Sequence, residues 1–363
     1  MSVKKYFQQK KYLWIIAFLI IILIKIFSAN SLRVEAFYSS KFYFHFSKIL
    51  RFLFGWIPFS FGDILYFLVG CWLVWKIIKN IRLLFKKKLC RKAALKKLLN
   101  LFLRLAFIYI IFNIFWGINY DRKGIAFQLD LKHLKYDTSD LKMLQKLLLE
   151  KVNASKIAVL RNHEPYPSKK ELIRRAQKSY AGAQKIYPFL EYKYLSVKPS
   201  LYGTPGDYLG FTGYYNPFTG EAQINTTVPD FLQPYIATHE MAHQLGYAKE
   251  NEANFVGYLA AVNSQDTLFH YSAYFDLFIY ANREVYYFDS VSSRLALQQL
   301  IPEVKDDIRE LRNFNRAHRS FLEPAITWMY GNYLKLNKQP QGMHTYNAVV
   351  GMLIAYYKKY GRI

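Results

Sequence analysis

The chain reads as mainly α with a small β-sheet, an α+β domain preceded by amino-terminal transmembrane helices. Three observations predict this. Long apolar runs are confined to the first third of the 363 residues. Beyond them, segments with helical periodicity and end signals far outnumber alternating, strand-like ones. Inside the second half, His239, Glu240, Met241, Ala242 and His243 spell H-E-x-x-H within a helical pattern.

The apolar runs Tyr12 to Phe27, Ile64 to about Ile78 and Leu98 to Tyr120 are candidate membrane spans, against the ~20 apolar residues that a bilayer demands. Arg104 near the start of the third is expected to snorkel to the interface. Phe42 to Phe61 is aromatic and apolar but interrupted by Lys48, Arg51 and Pro58, and reads as an interfacial amphipathic segment. Residues 1–120 are therefore expected to form a membrane domain and residues 121–363 an extracytoplasmic one.

The formal charge of +25 argues for nucleic acid only if it is spread evenly. Residues 1–120 hold 20 Lys and Arg against Glu35 and Asp63 alone, an excess of +18, whereas the remainder carries only +7. The charge thus belongs to the membrane region, with a lipid bilayer as partner and no nucleic acid. Ten basic residues lie between Lys76 and Lys97 with no acid among them, and Lys4, Lys5, Lys10 and Lys11 precede the first run. Cytoplasmic loops carry such excesses, so the amino terminus is expected inside and everything after Tyr120 outside. Cys71 and Cys90 fall in the second span and the inner loop, so no disulfide framework supports the outer domain.

That domain opens with helices capped at Thr138-Ser139-Asp140 and Ser168, to about Lys156 and Ile186. Tyr192–Val197 and Glu221–Thr227 are strand-like, separated by a Gly, Tyr and Pro rich loop or hairpin, Gly203–Gly220. Helices then follow over Phe231–Leu245, Glu250–Asn263, Thr267 to about Phe288 (buried or site-lining), Ser290–Leu300, Pro302–Leu336 with a kink at Pro324, and Tyr346–Tyr360.

In the motif, His239 and His243 are four apart, on one helix face about 5 to 6 Å apart, so two imidazoles can grip one zinc ion. Glu240 stands beside the ion without ligating it, where a general base is needed to take a proton from an activated water. Gly246 ends the helix. Two acids are available beyond the turn. Glu252 shares a face with Val256 and Leu259 and is expected inward, as third ligand; Glu250, with Asn254 and Gly257, reads as a helix-start carboxylate. Lys249 occupies the position where a metzincin needs its third histidine, which removes that branch. Tyr346 and His344 are candidate oxyanion donors, with Tyr271 and Tyr274 as further possibilities.

Asn251-Glu252-Ala253 resembles the third-ligand helix of thermolysin-like gluzincins, although Val256 replaces their aspartate four residues on. The amino-terminal spans, Pro217-Phe218-Thr219-Gly220-Glu221, Thr238 to Gly246 and Glu252 to Phe255 together resemble a bacterial membrane family, domain-of-unknown-function family 3810. That resemblance implies a zincin-like metallopeptidase domain, with His239, His243 and Glu252 on the metal and Glu240 as base. The expected function is a membrane-anchored zinc metallopeptidase acting on a peptide or protein, which could pair with Glu221–Thr227 if that strand is a sheet edge. The competing expectation is a non-catalytic zinc-containing sensor or peptide-binding scaffold. In the predicted topology, a tag placed anywhere after Tyr120, such as at the carboxyl terminus, is reached by impermeant reagents in intact cells; labelling only after lysis would invert the orientation.

Overall fold

The computed structural model describes residues 3–85, 91–132, 135–340 and 348–363. The structure is mostly helical with one small sheet, as the sequence predicts. Among the described residues, three helices are long and apolar enough to cross a membrane: α1 (Val3–Ser28), a later helix α3 (Phe61–Phe85) and α4 (Arg91–Phe115). Ala17 and Ile24 of α1 are buried with Leu103 and Ile110 of α4 in one apolar cluster. Arg104 lies 6.0 Å from the Trp72 ring centroid, so an aromatic face on the neighbouring span shares its charge. The third span ends earlier than expected. Gly117–Asp121 is a 3₁₀ turn whose Gly117, Ile118, Asn119 and Tyr120 are buried.

Between the first two spans, a π-helical stretch, Val34–Tyr43, runs into α2 (Phe44–Gly55). Amphipathicity there has two apolar sides. Phe37, Phe42, Ile49, Phe52, Leu53 and Trp56 are exposed, whereas Val34, Glu35, Tyr38, Tyr43, Leu50 and Arg51 are buried. The interfacial reading thus accounts for one face only, because the other is built into the domain. Arg51 lies over the Tyr192 ring at 4.6 Å. Lys48 meets Glu191 at 2.8 Å. Asp63, at the start of α3, accepts from Leu201 N at 2.8 Å and Tyr214 Oη at 2.6 Å.

In the domain that follows, α5 (Thr138–Asn162) is capped by Asp137, one residue before the expected Thr138-Ser139-Asp140, with Asp137 and Asp140 forming a capping box. The cap at Ser168 opens α6 (Lys169–Gln184), and Tyr180 on it donates to the Thr238 carbonyl at 2.7 Å. The sheet comprises β1 (Val197–Pro199), β2 (Gly213–Asn216) and β3 (Glu221–Ile224) in the order β1-β3-β2, with β1 parallel and β2 antiparallel to β3. The condition that Glu221–Thr227 be a sheet edge is not met, because β3 is the central strand. It cannot accept a substrate strand, because the stretch read as loop or hairpin folds back as β2 and occupies that side.

The helical remainder comprises α7 (Gln233–Gln244), α8 (Glu250–Val262), α9 (Thr267–Phe288), α10 (Ser290–Gln298), α11 (Pro302–Ala317), α12 (Glu323–Leu336) and α13 (Val349–Tyr360). The helix expected to run unbroken from Pro302 to Leu336 is two helices. Pro324 sits in the first turn of α12, where its missing N–H costs nothing, and starts a helix rather than kinking one. Phe269, Phe275 and Phe278 of α9 are fully buried, which places that helix in the core.

One buried ion pair ties the membrane-proximal segment to the domain. Arg122 donates to Glu35 through Nε at 3.0 Å and Nη2 at 2.7 Å, and through Nη1 to the Gly246 carbonyl at 3.1 Å. Gly124 N and Gln128 Nε2 also donate to Glu35, at 3.2 and 3.0 Å. Burial alone would raise the Glu35 carboxyl; Arg122 and these donors outweigh it and hold the group below its ordinary range. Arg122→Met, which strands the Glu35 charge, is expected to cost about 3–5 kcal/mol of unfolding free energy in detergent, and adding Glu35→Leu should recover most of it. Equal destabilisation by single and double variants would show that the pair is not the tie.

Candidate metal centre

α7 begins at Gln233 with Pro234 in its first turn and ends at Gln244 with Gly246 at φ +86°, a conformation suited to glycine. Its last carbonyls, which no helix can satisfy internally, are met from the membrane-proximal side. Trp116 Nε1 donates to the His243 carbonyl at 3.4 Å and Tyr43 Oη to the Gln244 carbonyl at 3.3 Å. Gln244 in turn donates to the Ser196 and Gly220 carbonyls at 3.0 and 2.7 Å, locking the helix end to the sheet region.

On this helix His239 and His243 face the same way, their ring centroids 4.8 Å apart. The Nδ1 of His243 lies 2.7 Å from the Tyr247 carbonyl oxygen. A carbonyl only accepts, so Nδ1 carries the hydrogen and Nε2 is left as the ligand atom. The Gly246 turn that brings Tyr247 back therefore also orients the histidine.

The third group is Glu250. Its Oε2 lies 3.3 Å from His239 Nε2 and 3.5 Å from His243 Nε2. One ligand atom from each of the three residues falls within 4.8 Å of the others, a group that could hold a metal ion. Glu252 does not join it. Its carboxylate turns to the other side of α8, against Gly124, with Lys249 Nζ at 3.5 Å and Arg122 within electrostatic reach. The reason lies in the helix crossing: a Cβ on Gly257 would stand 3.0 Å from both the Cα and N of His239. The face of α8 without bulk is the one pressed on α7, and Glu250 shares that face. Glycine at this crossing was the available sequence signal, whereas the apolar face bearing Glu252 packs elsewhere. Four residues beyond Glu250 stands Asn254, in place of the Val256 counted from Glu252.

Charge within the cluster is strongly coupled. Burial raises the Glu250 carboxyl, but the imidazoles of His243 and His239 outweigh it and hold it below the ordinary carboxylate range. Burial likewise opposes a charge on His243, yet the Glu250 carboxylate pushes it up to about 9. A cation between these three groups takes the place of that shared proton, which is the chemistry their donor set fits. Burial drives Glu240 up to about 7 against the pull of His239 and His243. Its Oε2 is buried without a hydrogen-bond partner, and Gly213 of β2 packs so closely that a Cβ there would lie 2.5 Å from its Oε1.

Around the cluster, Tyr330 of α12 donates to Glu250 Oε1 at 2.8 Å, and the Glu250 amide donates to Gln339 Oε1 at 3.0 Å. Tyr120 and Tyr333 share a hydrogen bond at 3.1 Å. Asp276 of α9 lies within electrostatic reach of His239 and pairs with Tyr280. None of these neighbours was singled out from sequence, because each comes from a distant segment. Of the expected oxyanion donors, Tyr271 bonds Asp307 and Tyr274 the Ile363 carbonyl, both away from the cluster, while His344 and Tyr346 lie outside the described residues. With side-chain exposures of 12% for His239 and 7% for His243 and Glu250, the site is nearly closed.

If Glu250 is the third ligand, Glu250→Ala loses stoichiometric zinc binding while Glu252→Gln retains it, measured by metal analysis after dialysis of the purified full-length protein. The opposite pattern would restore Glu252 as the ligand.

No curated protein and no solved structure matches the chain. One family model does, over residues 38–354, from the π-helical segment into the last helix. That match covers the second and third apolar helices and the whole His239–His243–Glu250 cluster. The chain thus belongs to the family described as protein of unknown function (DUF3810).

Proposed function

We propose that the protein is a membrane-anchored zinc metallopeptidase whose catalytic domain lies on the extracytoplasmic side. The observation that carries this reading is the pairing of two histidines and Glu250 around one point with an adjacent glutamate, Glu240, that is buried, unpartnered and ligates nothing. A structural metal site has no use for such a group, since an unpaired buried carboxyl costs stability. A hydrolytic site needs one.

His239, His243 and Glu250 would hold the ion, which when bound supplies Lewis acidity toward a scissile carbonyl and a water. Glu240, raised to about 7 by burial, is tuned to accept the proton of that water near neutrality and to return it to the departing amine. Substrate is best accommodated along β2, which lies at the edge of the sheet and passes Gly213 directly over Glu240. A side chain at position 213 would occupy the space between strand and base. The Tyr330 hydroxyl and the Tyr120–Tyr333 pair are the phenol donors beside the cluster.

The test is peptide-library hydrolysis by the purified full-length protein containing one equivalent of zinc. Glu240→Gln should keep the metal and lose roughly 10²–10⁴-fold in rate. Gly213→Ala should also keep the metal while lowering turnover. A zinc-loaded wild type that binds peptides but cleaves none would instead favour the non-catalytic scaffold.

A further inference from the structure

α12 presents two different sides. Its inner side carries Tyr330, which bonds Glu250, together with buried Gly331 and Leu334. Its outer side, with the turn before it, exposes Phe321, Leu322, Trp328, Met329 and Leu336, the first and last at 90% and 85%. Exposed apolar side chains gathered on one side of a surface helix, here with Asn332 and Lys335 among them, mark a surface meant to be covered.

Its position shows by what. Tyr333 bonds Tyr120, five residues beyond the end of α4, and lies within electrostatic reach of Tyr66 in the first turns of α3. α12 is therefore held at the same end of two spans, where they leave the bilayer. Arg316 in the last turn of α11, Arg319 in the connection to α12 and Lys335 in the last turn of α12 are suited to lipid headgroups, and tryptophan favours that layer. The exposed Phe52, Leu53 and Trp56 of the α2 region add a second apolar surface on the membrane-proximal side.

We propose that α12 lies in the interfacial layer of the bilayer, with Trp328, Met329 and Leu336 in lipid and Tyr330 turned inward over Glu250. The metal cluster is then covered by a helix that the membrane itself holds, and access to it opens at membrane level. This placement rests on the spans and not on the hydrolytic reading, so it stands or falls without any activity measurement.

The experiment is site-directed spin labelling of the full chain in phosphatidylcholine–phosphatidylglycerol nanodiscs. Single cysteines at Trp328, Met329 and Leu336 are introduced into a Cys71→Ser, Cys90→Ser background. Val74→Cys in the second span serves as lipid reference and exposed Arg309→Cys as aqueous reference. Labels on α12 should show oxygen-to-nickel-complex accessibility ratios near that of Val74 and several-fold above that of Arg309. Ratios matching Arg309 at two or more of the three positions overturn the proposal. So does dipolar broadening between labels of separate molecules, which would assign the stripe to a second copy of the chain. Three positions guard against one label disturbing the helix.

Discussion

The close approach of Gly257 to the backbone of His239 is the constraint on which the metal cluster depends. Two helices can touch at this distance only where one lacks a side chain. Their contact fixes the rotation of α8 about its axis, and rotation decides which of two nearly adjacent glutamates meets the histidines. Glu250, on the glycine face, is carried to 3.3 and 3.5 Å from the two imidazoles. Glu252, two residues later and about 200° around the helix, is carried to the far side, where it faces Gly124 and Arg122. A side chain at 257 would press on the His239 backbone and force the two helices to give by a few tenths of an ångström at the crossing.

The rest of the scaffold holds that crossing in place. The turn between the two helices passes through Gly246, whose carbonyl is bonded by Arg122, which is itself paired with Glu35 from the segment after the first span. Tyr247, one residue on, stacks under Arg122 at 4.4 Å and supplies the carbonyl that orients His243. The same membrane-proximal segments give Tyr43 and Trp116 to the end of the motif helix. The segments flanking the apolar helices and the His239–His243–Glu250 cluster are consequently one packed unit.

Electrostatics and closure act in the same direction. Burial raises the cost of every charge in the cluster, so the two imidazoles, Glu250 and Glu240 are compensated mainly by one another. Tyr330 and Gln339 complete the hydrogen bonding of Glu250 and at the same time shut the site from bulk water. A glutamate raised to about 7 beside two clustered histidines thus arises from the same exclusion of solvent.

Much of this was legible in local pattern. The three long apolar helices follow from apolar length, the helix capped at Ser168 and, to within a residue, the one capped at Asp137 from end signals, and the histidine pair with Glu240 from four-residue spacing alone, because each depends on neighbours within one or two turns. The central place of β3, the break before Pro324 and the choice between Glu250 and Glu252 were not, since each depends on what a segment distant in sequence packs against. Apolar neighbours suggested that Glu252 points inward, but a domain has more than one inside, and only the α7–α8 crossing at Gly257 selects the side that holds the histidines. Local pattern alone carried the His239–Glu240–His243 spacing on one helix face and three helices apolar and long enough to cross a membrane. Tertiary structure decided the third carboxylate, the edge strand beside Glu240 and the helix that covers them, because helix rotation, strand order and burial are set by contacts between segments and not within them.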